Sequence, residues 1–283
     1  MWRLFDILER FWSMTESQEK WKFGINILAI SENFPLYLRK GPWSPFASAF
    51  LVIRCVALFL TKDLAMKSFN DNPYEENEEQ MIRWFRLGSS IYSFLLISIV
   101  LFYAGIFPLY TYTILTWNIM TLRLFSSYLN ASGYNQLYFL ARALRFPALV
   151  GCTVTVSVWW FVLVPVIYTY ANEEQRLRFL KFNFSFFLLN VHGLNLVFTS
   201  IDFLYSSYEL TFFDFWMAAI IGFSYILFYL FYVDAKGYHL YIIFSPRTHL
   251  CILAYFGVLL IYYFVFWGWN EILRRADIGE IRT

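Results

Sequence analysis

Residues 146–169 read FPALVGCTVTVSVWWFVLVPVIYT, a run of 24 residues without one charged side chain. At about 1.5 Å per residue, roughly 20 apolar residues are what a helix needs to cross the ~30 Å hydrocarbon core of a bilayer. Further runs of that kind lie near 88–107, 109–129, 183–206, 213–233 and 250–271. Pro108 marks a tight turn between the first two of these. The remaining connections carry ordinary loop signals: Asn130 to Gly133, the charged stretch Asn172 to Lys181, Asp234 to Gly237, and Pro246 to Thr248.

The composition of the whole chain agrees. Of 283 residues, 59% are apolar, 23% aromatic and only 15% charged. A soluble domain carries roughly 45–50% apolar and about 25% charged residues, so one water-soluble core could not absorb these aromatics. Disorder and a disulfide-rich scaffold are excluded by the same figures. The net charge of +2 argues against a nucleic-acid partner. The expected fold class is all-α: a polytopic membrane helical bundle with six transmembrane helices, or seven if a further run crosses.

That further run, residues 46–60, is short and carries Arg54 at its middle, where a charge costs roughly 2.5 kcal/mol or more in a bilayer. If it does not cross, Lys and Arg divide 16 against 5 between the two sides; if it does, they divide 11 against 9. The first division fits the positive-inside rule. It gives six spans, both termini cytosolic, and a re-entrant or surface-lying segment at 46–60. The expected organisation is therefore an N-terminal extension, 1–83, and a six-span domain, 84–283. Within the extension, Leu4, Phe5, Leu8, Phe11 and Trp12 share one face of an amphipathic helix. Such a helix suits the headgroup layer. Arg3, Asp6, Glu9 and Arg10 break the first apolar stretch, so no cleavable leader is expected.

Cys55, Cys152 and Cys251 are scattered, and the histidines are His192, His239 and His249 alone. Neither a zinc ribbon nor a multi-histidine di-iron or haem site can be assembled from them, so no metal or other cofactor is expected.

Polar residues inside spans are costly and therefore informative. His192, Asn195, Thr199 and Asp202 recur at i, i+3, i+7 and i+10, one stripe of a regular helix, with Ser206 continuing it. Thr113 and Thr116 lie 60° apart on the second span, and Thr116 and His192 come to similar depths, roughly 10 and 14 Å from their helix starts. They could meet. A threonine hydroxyl is a poor nucleophile until a base takes its proton, and imidazole is the usual base. Asn195, one turn from His192, is the candidate orienting or oxyanion-stabilising group. Asp202, about 15 Å further on, is too distant for a triad. Arg123, two turns below Thr116, either holds a fatty carboxylate or snorkels to the headgroups, the second being favoured. His239 reads as a solvated loop histidine, and Trp159, Trp160, Trp267 and Trp269 as an interfacial belt.

The stretches Thr113 to Leu122, TILTWNIMTL, and Asn190 to Asp202, NVHGLNLVFTSID, resemble the two marker regions of the androgen-induced membrane hydrolase family, which includes the rolling-stone-like proteins. Gly237-Tyr238-His239-Leu240-Tyr241 is similar to the family's loop ending in Tyr-Pro, with Ile242 in place of that proline. The resemblance covers residues 84–272. It implies a six-span fold and hydrolysis of fatty acid esters of hydroxy fatty acids by an intramembrane threonine nucleophile and histidine base. Carried over by position, these are Thr116 and His192. The Trp and Asn after Thr116 are spaced a residue differently from some members, which keeps Thr113 as an alternative nucleophile. Asn195 also stands where characterised members have a second histidine.

The expected partners are thus membrane lipids and a long-chain fatty acyl ester, in an endomembrane (endoplasmic reticulum) or the plasma membrane. The alternative is a non-enzymatic multi-pass protein, a lipid or solute carrier or a rolling-stone-like fusion or adhesion factor. It predicts a polar stripe lining a path through the bundle, with no contact between nucleophile and base.

Overall fold

The computed structural model describes residues 34–73, 79–206 and 208–280, which form helices and no strand. The amphipathic helix expected at 4–12 lies outside them. In chain order the principal elements are α1 (Pro45–Leu60), α2 (Lys62–Asp71), α3 (Gln80–Ala104), α4 (Tyr112–Ala131), α5 (Asn135–Tyr170), α6 (Glu173–Asn183), α7 (Phe186–Leu204), α8 (Phe212–Lys236) and α9 (Leu250–Glu280). Five of them, α3, α5, α7, α8 and α9, are long and apolar enough to cross a membrane. This is the make-up of a multi-pass membrane protein.

Hydropathy places the interior of each long helix well and its ends less well. α3 and α5 begin eight or more residues before the apolar runs do, and the added turns carry arginines that the fold accommodates. Arg86, Arg142 and Arg145 are all buried. The guanidinium of Arg142 lies over the rings of Phe69 and Phe213, and that of Arg145 over Phe203. Such packing offsets part of the cost of burying a cation.

α4 is long enough to cross but too polar to count among the five. It sits inside the bundle between α3 and α5, burying Thr116, Trp117, Met120, Arg123, Ser126 and Ser127. The approach to α5 is close: a Cβ at Gly151 would lie 2.7 Å from Thr116 Cγ2. The outward faces of the other helices are apolar and bare, as at Phe102 (79% exposed), Phe161 (80%) and Phe59 (76%). In water such a belt would aggregate; against acyl chains it is solvated.

The segment 46–60, expected as re-entrant or surface-lying, runs lengthwise along the bundle instead. At its start, Ser44 N–H donates to Pro246 O and Ser44 Oγ meets His249 Nδ1. Farther along, Trp216 Nε1 donates to Leu58 O at 3.0 Å. α2 then ends at the opposite pole, where Arg142 Nη1 donates to Phe69 O and the Phe69 ring lies 4.7 Å from that of Phe213. Residues 45–71 cover about 40 Å as helix. Charge counting had set the Arg54 penalty against crossing, but Arg54 faces inward onto a cavity and Phe223, and the bare Val52, Ile53 and Phe59 face out. Residues 34–44 consequently sit at the pole of Tyr170 and Ser245, away from the C-terminal end of α9.

Candidate active site

The site forms where the start of α4 meets widened turns in α5 and α7. Thr111 caps α4, its hydroxyl accepting from Ile114 N–H, so Thr113 lies in the first turn of the helix. In α7 residues 190–194 form a π turn, and His192 within it takes φ −118° and ψ 21°. In a regular helix Leu196 N–H would pair with His192 O. Here Leu196 N–H donates to Asn195 Oδ1, Asn195 Nδ2 donates to Val191 O, and His192 O accepts from Trp160 Nε1 at 2.9 Å. Residues 159–163 of α5 form a second π turn and residues 229–233 of α8 a third. Wide turns of this kind re-aim side chains and cluster at functional sites.

His192 is held on three sides. Its ring stacks on Trp159, centroids 4.0 Å apart and planes 14° apart, and the Trp159 indole donates to Asn183 Oδ1 at 2.7 Å. Nδ1 lies 3.2 Å from Leu188 O, and Nε2 lies 3.2 Å from Thr113 Oγ1. A carbonyl can only accept, so Nδ1 carries the proton and the Nε2 lone pair faces the threonine hydroxyl.

Two cavities share Thr113 in their walls. One, of about 150 Å³, lies between α3 and α7 and is lined by His192 and Thr113 together with apolar side chains such as Val100, Phe187, Leu188 and Val191. The other, of about 60 Å³, is walled by Thr113, Arg54 and the phenols of Tyr112, Tyr225, Tyr229 and Tyr262. Tyr241 borders both. Its hydroxyl accepts from Tyr112 N–H at 2.9 Å and lies against Thr113 and Tyr225. Burial pushes this loop phenol above its ordinary pKa, so it stays a proton donor at neutral pH.

The expected residues distribute as follows. His192 pairs with Thr113, the alternative nucleophile. Thr116 instead donates to Thr113 O on its own helix and meets Thr155 Oγ1 at 3.0 Å. Asn195 mends the π turn, its amide bonding Val191 O and Leu196 N–H rather than the pair. Arg123 does not snorkel. Its Nε donates to Asp202 Oδ2 at 2.9 Å and its Nη1 to Ala141 O, while Arg86 Nε takes Asp202 Oδ1 at 2.7 Å. This buried triad ties α3, α4, α5 and α7 together. His239 is likewise buried rather than solvated, 2.8 Å from Asp234, which also pairs with Arg247. Trp159 and Trp160 belong to the site and not to an interfacial belt. Trp267 is exposed, and Trp269 packs on Phe203. Among the described residues no three His, Cys, Asp or Glu side chains gather as metal ligands.

Tyr241 and Trp159 carry no periodic signal; the Gly237–Tyr241 similarity was the one hint that the loop mattered. Comparison of the chain with models of known families, with characterised proteins and with solved structures finds no match.

Proposed function

We propose that this chain is an intramembrane acyl-ester hydrolase with Thr113 as nucleophile and His192 as base. The observation that carries the reading is the 3.2 Å contact between Thr113 Oγ1 and a histidine nitrogen left unprotonated by the Leu188 carbonyl, beside an apolar cavity. Thr113 Oγ1 attacks the ester carbonyl as its proton passes to His192 Nε2. The tetrahedral oxyanion is met by the Tyr241 hydroxyl and the positive end of α4. As the C–O bond to the alcohol breaks, His192 Nε2–H protonates the departing oxygen, leaving an acyl-threonine ester. Water, deprotonated by the same nitrogen, attacks that ester. The acid leaves, and the proton returns to Thr113 Oγ1.

The apolar cavity suits an acyl chain delivered from the bilayer, and a long-chain ester is the substrate class. Fatty acid esters of hydroxy fatty acids are the members of that class which the resemblance favours. The carrier reading loses support because Asn195, Thr199 and Asp202 bond within α7 or to arginines instead of lining a path. As for topology, the lengthwise course of α1 and α2, with α4 inside the bundle, supports seven crossings rather than six. The compartment is a cellular membrane, endoplasmic reticulum or plasma membrane.

The test is covalent labelling of the detergent-solubilised chain by a fluorophosphonate. Wild type and Thr116→Ala are expected to label; Thr113→Ala abolishes labelling, and His192→Ala slows it by on the order of 10²–10⁴. A folded wild type that does not label overturns the proposal.

A further inference from the structure

Arg54 is a cation in the middle of an apolar helix, and it faces the smaller cavity. Its guanidinium makes no ion pair and no hydrogen bond with the described residues; its one ring contact is Phe223, 5.7 Å away. The rest of that cavity wall is rich in phenols, among them Tyr112, Tyr225, Tyr229 and Tyr262, and it includes no carboxylate. Tyr112 and Tyr262 hydroxyls lie 3.0 Å apart, and Tyr262 reaches this point because α8 offers Gly222, where a Cβ would stand 2.6 Å from its hydroxyl. A half-buried guanidinium that shares a largely apolar cavity with phenols and has no counter-charge among the described residues is a costly arrangement for an empty protein and a favourable one for a bound anion. The planar fork of arginine matches a planar carboxylate, and the small volume with apolar neighbours suits a carboxylate on a hydrocarbon chain better than a phosphate headgroup.

We infer that the cavity of Arg54 is a carboxylate subsite, which holds the free carboxylate on the alcohol arm of an amphiphilic acyl ester, and of the hydroxy acid it releases, while the acyl carbon lies at Thr113. The inference rests on reading Thr113 and His192 as the reacting pair, since it assigns the two cavities to the two arms of one ester. It makes Arg54 a specificity residue supplied by the segment before α3, outside the region that carries the family resemblance.

The experiment measures displacement of a fluorescent anthroyloxy fatty acid from the full chain in nanodiscs, by oleate and by methyl oleate. Wild type and Thr113→Ala are expected to prefer oleate at least about ten-fold, the worth of a charge-assisted hydrogen bond. Arg54→Gln abolishes the preference, and Arg54→Lys keeps part of it. A wild type that binds both ligands equally overturns the subsite without recourse to any variant, and so does a folded Arg54→Gln that retains the preference. Fluorophosphonate labelling, which needs no carboxylate, separates the two claims. Labelling without oleate preference sinks the subsite alone, and preference without labelling sinks the hydrolase.

Discussion

At the scale of single residues, the site turns on which atom carries each proton. Leu188 O fixes the imidazole tautomer and Tyr112 N–H fixes the Tyr241 oxygen, so base and oxyanion donor are both oriented before substrate arrives. Removing one oxyanion donor typically costs about 10²–10³ in kcat. Tyr241→Phe is therefore expected to lower kcat on a long-chain ester by that order while leaving KM within about three-fold; an unchanged kcat would remove Tyr241 from the mechanism. His192 was legible in the sequence as a polar group in a span, and the threonine partner was legible as one of two. The choice between them was not. Apolar boundaries started α4 and α7 three residues early alike, which leaves their relative depth unchanged; the π turn at 190–194 is the departure from regular helix that accompanies the pairing of His192 with Thr113, in the first turn of α4.

At the scale of elements, the single stripe His192–Asn195–Thr199–Asp202 assumed an unbroken period of 3.6. The π turn at 190–194 breaks that period, so His192 faces α4 and α5 at the site while Asp202 faces Arg86 and Arg123. Intervals from a regular helix cannot register such a turn, because its stabilisation comes from Trp160 and Asn195 side chains mending the ladder. The Asp202 triad is the other cross-element device. Breaking a buried ion pair costs about 3–5 kcal/mol by stranding the remaining charge. Asp202→Asn removes the carboxylate that two buried guanidiniums share, so its thermal unfolding temperature in detergent should fall well below that of Thr116→Ala. Equal stability of the two variants would show that the triad does not hold these helices together.

At the scale of the whole molecule, α1 and α2 carry the chain from the pole of Pro246 to the pole of Phe213. Seven crossings would then set Lys40, exposed at one pole, and Arg275, exposed at the end of α9, on opposite sides of the membrane. With Cys55 removed, Lys40→Cys and Arg275→Cys should react with a membrane-impermeant maleimide from opposite sides of sealed vesicles. Reaction from one side would restore the six-crossing arrangement. The positive-inside count could not decide this, since moving one segment changes 16 against 5 into 11 against 9.

Composition and the lengths of the apolar runs by themselves determined that this chain carries helices fit to cross a membrane, because burying the backbone in hydrocarbon leaves the helix as the structure these long apolar segments can adopt. They also singled out the costly polar residues. Tertiary packing alone decided what those residues do. Whether an Arg within a helix meets Asp202 or a cavity, and whether His192 meets Thr113 or Thr116, depends on helix rotation and register. Those are set by side chains from distant segments: Gly151 against Thr116, Trp159 against His192, and Trp216 against the backbone of α1.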